Sequence, residues 1–117
     1  KDDQKQARRA VSLIREASER GERMFLGHIV LCEITWVLIA GYSLPKKDVI
    51  EVLSQLLRTA QFEVEAADLA SRALSRYEHG AADFADYLIA ERAATSGYDQ
   101  VATFDRKLLR EAGFVKP

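Results

Sequence analysis

The chain has 117 residues, 48% apolar and 30% charged, with a formal net charge of -1. That length and composition describe one ordinary globular domain, and near-neutrality excludes coating nucleic acid through bulk positive charge while leaving room for a nuclease with a local basic rim. The single cysteine, Cys32, excludes an internal disulfide and any zinc-ligand spacing and makes a reducing cytoplasm the expected location, while no apolar run reaches the roughly 18 residues of a membrane span.

Asp2 or Asp3 is placed to cap a first helix that runs to about Arg20. Ala7, Ala10, Val11, Ile14 and Ala17 recur at three- and four-residue spacing and form one apolar stripe. Lys5, Arg8, Arg9, Arg15 and Glu16 lie largely on the other side, as a solvated face, and Gly21 ends the helix. Met24-Phe25-Leu26, bounded by glycines, predicts a short buried strand. A helix from about Ile29 to Ala40 is apolar nearly all round, which predicts packing on several sides. Cys32 is expected to be a small buried hydrophobe, and His28 a turn or capping residue. Glu33 lies in the first two turns of that helix, where a carboxylate is favoured. In so apolar a helix it carries a desolvation cost unless it is paired, opens on a cleft or binds a cation.

Gly41 terminates the helix, and Ser43-Leu44-Pro45 begins the next, with Val49, Val52, Leu53, Leu56 and Leu57 as its apolar face. Gln61 to Glu65 alternates as a short strand does. A helix follows from Ala66 to about Glu78 and is closed by His79-Gly80, with no role assigned to His79. Asp83 is an N-cap candidate, Asp86 falls three residues later on the same face, and Gly97 is the C′ stop. Gln100 to Thr103 predicts a third short buried strand, with Asp105 beyond its carboxyl end, the end at which open α/β sheets bind ligands. Short strands alternating with helices predict an α/β fold with a parallel sheet. Three strands are few for one, and a further strand before Lys1 is expected to complete it. No repeat or linker divides the chain.

Four acids, Glu33, Asp83, Asp86 and Asp105, are the candidates for chemistry. Gathered without a cation they repel, and at least one is forced neutral. A hard divalent cation such as Mg²⁺ removes that conflict with oxygen ligands and waters, and it suits phosphodiester hydrolysis by polarising a phosphoryl oxygen and acidifying a water. Thr103 can place a hydroxyl beside such a site. No Walker A loop, dinucleotide glycine pattern or nucleophile elbow is present. Phe84, Tyr87, Trp36 and Phe104 are expected in the core rather than as a base-stacking platform.

Asp-Phe-Ala-Asp-Tyr-Leu-Ile-Ala at 83–90 and Val-Ala-Thr-Phe-Asp-Arg-Lys-Leu at 101–108 resemble the C-terminal half of a PIN domain. Val-Leu-Cys-Glu-Ile-Thr-Trp-Val-Leu at 30–38 resembles the helix that carries that family's second acid. The spacing and the Thr-Phe-Asp-Arg signature are most similar to the VapC toxins of bacterial type II toxin–antitoxin systems, over essentially the whole chain. The resemblance implies a PIN-like three-layer α/β/α fold, a short parallel sheet surrounded by helices, over residues 1–117. It implies a Mg²⁺- or Mn²⁺-dependent endoribonuclease, a homodimer, neutralised by a VapB-like antitoxin. By motif, Glu33, Asp86 and Asp105 match the metal-site acids and Asp83 a less central one. Thr103 matches the polar residue before the last acid, and Arg106 is a candidate contact to phosphate or antitoxin. The family's first strand and its Asp are expected before Lys1, with Asp2-Asp3 similar to its early acidic pair.

Two other readings use the same acids. A non-catalytic PIN-fold module, or an inactive fragment, would bind a partner without cleaving RNA. An α/β phosphoacceptor domain would need an acidic pair after its first strand and a lysine after its last, for which Lys107 is a weak candidate.

Overall fold

A computed structural model describes residues 9, 12, 14–16, 19–21 and 23–117. The described residues 9, 12, 14–16 and 19 are helical, and Arg9, Arg15 and Glu16 are exposed, as the stripe over this segment predicts. The capping expectation at Asp2 or Asp3, the stripe residues Ala7, Ala10, Val11 and Ala17, and Lys5 and Arg8 lie outside the described residues. The chain divides into two compact units, Lys1–Ala67 and Asp68–Pro117.

In the first unit, β1 (Met24–Leu26) pairs in parallel with β2 (Phe62–Val64), with Met24 opposite Phe62 and Leu26 opposite Val64. Alternation buries Phe62 and Val64 and exposes Glu63. Helix α1 (His28–Trp36) runs on through a π turn, Val37–Gly41, so Gly41 ends it as expected. Helix α2 (Lys46–Arg58) starts just after Pro45. It buries Val49, Val52, Leu53 and Leu56, and carries Asp48 in its first turn and Arg58 in its last, which suits the helix dipole.

Helix α1 shows how a parallel pair can position a helix start. Gly27, its N-cap, has no side chain to offer. Glu65, one residue past β2, supplies the missing acceptor: its Oε1 takes the His28 backbone N–H at 2.8 Å. The His28 ring Nε2 lies 2.6 Å from the Glu65 carbonyl oxygen, and the side chain is buried. His28 is therefore the first residue of the helix, held by a carboxylate 37 residues away in the chain.

The expectation that α1 is packed on several sides does not hold. Leu31, Thr35 and Leu38 are buried, but Ile29 is 77% and Trp36 70% exposed, with Val30, Val37 and Ile39 also exposed. Packing against α2 covers one helical face, and positions 31, 35 and 38 are on that face. Cys32 is half-buried rather than a core residue. Glu33 is exposed, so it escapes the desolvation cost that an all-round apolar environment would have imposed.

The second unit holds α3 (Ala67–His79) from its second residue on, α4 (Phe84–Thr95), β3 (Val101–Ala102), a 3-10 turn at Leu108–Arg110 and β4 (Phe114–Val115). The α/β class and the parallel pairing are borne out, as two two-stranded pairs among the described residues. Strand β4 is an addition to the three expected; it pairs in parallel with β3, Val101 opposite Phe114. Two apolar residues are too short a signal to register as a strand in the sequence. β3 is also shorter than the predicted 100–103, with Val101 half-buried and Ala102 exposed rather than fully buried. Gly97 follows α4 at φ +94°, the left-handed conformation predicted for the stop.

Candidate active site

Helix α4 opens with a capping box. Asp83 is the N-cap, and its backbone N–H donates to Asp86 Oδ2 at 3.1 Å. The sequence requirement is a cap side chain with an acceptor oxygen and a second acceptor three residues on, which the Asp-Phe-Ala-Asp order meets. Below the box the helix is fixed by its buried face: Phe84, Tyr87, Leu88 and Ala90. Phe84 meets Tyr77 of α3 edge to face, with ring centroids 6.1 Å apart. Both box carboxylates are thus carried on a helix start that cannot rotate without disturbing the core.

Asp105 reaches the same region from the other direction. It lies past the carboxyl end of β3, in a loop fixed by side-chain turns. Its backbone N–H donates to Thr103 Oγ1 at 3.0 Å, and its own Oδ1 accepts from the Lys107 N–H at 2.9 Å. The loop returns through the 3-10 turn to β4 and is held by Leu108 and Phe114, which pack with Ala90 of α4. The helix bearing Asp86 and the loop bearing Asp105 are therefore locked to one another by a shared apolar cluster.

Between them is a cavity of about 390 Å³ lined by Asp83, Asp86, Asp105, Lys107, Arg110 and Glu111, with Leu108 and the Ala81-Ala82 turn. The Asp86 carboxyl is held above the usual carboxylate range, first by burial and then by the nearby charges of Asp83 and Asp105, against a lowering from the Asp83 N–H bond. Burial likewise raises the Tyr77 hydroxyl, with Asp83 adding to it. Three of the four acids expected from the sequence thus line one cavity, and the charges of Asp83 and Asp105 act on Asp86. Glu33 belongs to the other unit, on α1. Arg106 is exposed in the Asp105 loop. Among the described residues, no three His, Cys, Asp or Glu side chains converge closely enough to enclose a metal ion by themselves.

Sequence reasoning missed Glu111 and the part played by Tyr87. Tyr87 is 1% exposed, and its hydroxyl donates to Glu111 Oε1 at 2.8 Å while accepting the Ala82 N–H at 3.2 Å. Burial raises the hydroxyl's pKa, which keeps it a donor. The Arg76 guanidinium sits 5.0 Å from the ring centroid and pairs with Glu91 at 3.1 Å. Glu111 was hidden because its link to the helix runs through a single buried hydroxyl; Tyr87 read only as core. The aromatic expectation divides: Phe84 and Tyr87 are buried, but Trp36 and Phe104 are exposed, contrary to their assignment to the core. Phe104 sits between two residues whose polar groups face the turn, which leaves its ring outside.

An acidic helix start and an acid past the end of a parallel strand, in a helix-rich α/β chain, are a recognisable combination, and the chain belongs to the PIN domain family, whose model matches residues 2–115. It is similar to a VapC ribonuclease of Aquifex aeolicus (strain VF5), 29% identical over 99 residues that make up 85% of this chain and 73% of that relative. No solved structure matches it. Among the described residues no helix is long and apolar enough to cross a membrane.

Proposed function

We propose that this chain is a divalent-metal-dependent endoribonuclease, a VapC-like toxin, with residues 1–117 belonging to one PIN-like domain whose first strand is expected before Lys1. The observation that carries the reading is the conflict at Asp86: a partly buried carboxyl raised by burial and by Asp83 and Asp105, in a cavity those acids line. The donor set is oxygen only, which fits a hard cation, and Mg²⁺ or Mn²⁺ needs only one or two carboxylates when waters complete the shell. In this reading Asp86 and Asp105 are the principal ligands, with Asp83 beside them and Glu33 contributing by its motif. When bound, such a cation polarises a phosphoryl oxygen and lowers the pKa of a water.

The chain's own groups supply the rest. Thr103 fixes the backbone at Asp105 and so orients that carboxylate. Lys107 and Arg110 at the cavity wall attract a phosphate that the acids alone would repel, and Arg106 is a third cation for the RNA backbone. Two further parts of the reading are partners: a VapB-like antitoxin and a second copy of the chain. The exposed apolar residues Ile29, Trp36, Val37 and Ile39 support partner binding. The toxin acts in the cytoplasm, where its RNA substrate is.

The test is cleavage of a labelled single-stranded RNA with Mg²⁺ or Mn²⁺ against the same reaction in EDTA. Asp86→Ala and Asp105→Ala, checked for retained helicity, are expected to lose at least roughly a hundredfold in rate, because each removes a charge that stabilises the reacting centre. Full activity in either variant refutes the assignment. Absence of cleavage with retained antitoxin binding identifies a non-catalytic PIN-fold module instead.

A further inference from the structure

Phe104 is the most exposed large apolar side chain among the described residues, at 88%. Its neighbours explain why it cannot turn inward. Thr103 accepts the Asp105 N–H, Asp105 accepts the Lys107 N–H, and the Asp105 carbonyl accepts from Leu108 and Leu109. The loop is therefore fixed on both sides of Phe104, with Leu108 buried as its anchor. Exposure alone assigns such a ring no role; its place beside the Asp105 turn and the charges that follow it do.

The charges around it say what kind of surface it would meet. Arg106, Lys107 and Arg110 follow within six residues; all are exposed, and none forms an ion pair among the described residues. An exposed aromatic ring beside unpaired cations is the pairing that binds single-stranded nucleic acid, the ring by base stacking and the cations by the backbone. A protein partner's apolar pocket would also accept a phenyl ring, but cations flanking an exposed ring match a chain of phosphates and bases together.

We propose that Phe104 is a base-stacking residue: it packs on a nucleobase of single-stranded RNA next to the phosphate that enters the Asp86–Asp105 cavity. The inference rests on the ribonuclease reading and deepens it by assigning a base-contacting residue beside the acidic cavity. A base in a duplex has both faces occupied, so Phe104 selects against paired RNA. Because the ring touches any base face, it confers little sequence preference.

The experiment measures affinity for a fluorescein-labelled single-stranded RNA by anisotropy in EDTA, for the intact chain and its variants. Phe104→Ala is expected to weaken binding roughly tenfold and at most about a hundredfold, the range of one lost stack. Phe104→Trp retains or tightens binding, and a duplex of the same sequence shows no difference between variants. An RNA with abasic sites binds the native chain and Phe104→Ala equally. Equal affinity of the two for intact RNA, no measurable RNA binding, or a loss that persists on abasic RNA each overturns the inference. So does a Phe104→Ala effect confined to self-association in sedimentation. Cleavage is scored separately with Mg²⁺: binding that depends on Phe104 without cleavage retires the ribonuclease reading alone, and cleavage indifferent to Phe104 retires the stacking role alone.

Discussion

Gly80→Ala is the sharpest test of how the cavity is held. A Cβ at residue 80 would stand 2.6 Å from Tyr87 Cζ, collide with the hydroxyl, and lie 3.0 Å from the Arg76 carbonyl oxygen. The ring cannot step aside freely, because its hydroxyl bridges Ala82 and Glu111 and the Arg76 guanidinium covers its face. Overpacking of this kind costs about 1–3 kcal/mol. Breaking the bond to the Glu111 carboxylate instead costs about 1.5–3 kcal/mol. The two are alternatives, since moving the ring relieves the clash by losing the bond, so we expect about 1.5–3 kcal/mol. That is a large share of the roughly 5–15 kcal/mol that stabilises a domain. Urea unfolding of Gly80→Ala, Tyr87→Phe, Tyr87→Leu and both double variants reads it. Tyr87→Phe removes the hydroxyl but leaves Cζ, so it relieves part of the cost; Tyr87→Leu relieves most, and the coupling exceeds about 1 kcal/mol. Additivity within about 0.5 kcal/mol, or a Gly80→Ala cost below that, refutes the reasoning.

The Asp86 carboxyl is raised in the folded chain, so the native state holds its proton more tightly than the unfolded chain does. Its stabilising contribution is fully present below the unfolded value and is lost as pH rises through the folded one. Metal-free chain should therefore lose stability through that window above the ordinary carboxylate value, and Asp86→Asn should flatten the loss in urea midpoints measured in EDTA. Added Mg²⁺ should raise the midpoint more at neutral pH than in acid, and a pH-independent rise would contradict the assignment. Glu65→Ala removes the acceptor for the His28 N–H and should cost about 1–2 kcal/mol, as other cap losses do, whereas Glu65→Gln keeps an acceptor and most of the stability. Equal losses in thermal melts would show that the cap is not the reason. Ala66 is held at φ +42°, so Ala66→Gly should be neutral or gain up to about 1 kcal/mol by relieving strain, less the entropy glycine adds to the unfolded chain; a clear loss in the same melts would count against that strain.

The sequence made the helices and the acidic box readable because each depends on local order. Asp83 and Asp86 need only be three residues apart, and Val49, Val52, Leu53 and Leu56 need only repeat with the helix. What it could not show is set by contacts across long intervals. Glu65 caps α1 only because β1 and β2 pair, and Glu111 reaches α4 only through Tyr87. The burial of α1 departs from expectation for a related reason. An apolar helix records how much surface can be covered, whereas the number of neighbours decides how much is. With one helix face packed, Ile29 and Trp36 stay outside.

Phe104 carries the same lesson to the site itself. Hydrophobicity alone sends a phenyl ring inward, and the flanking sequence decides otherwise. Thr103 and Asp105 spend their polar groups on the turn, and Leu108, five residues after Thr103, takes the inward position that anchors the loop. Leu108 is buried and the ring beside the acid is left facing solvent. The residues that fix Asp105 in place are therefore the same ones that put Phe104 where a substrate would meet it. An alteration that loosens the turn, such as Thr103→Val, disturbs carboxylate and ring together, and only substitutions at 104 itself separate the two.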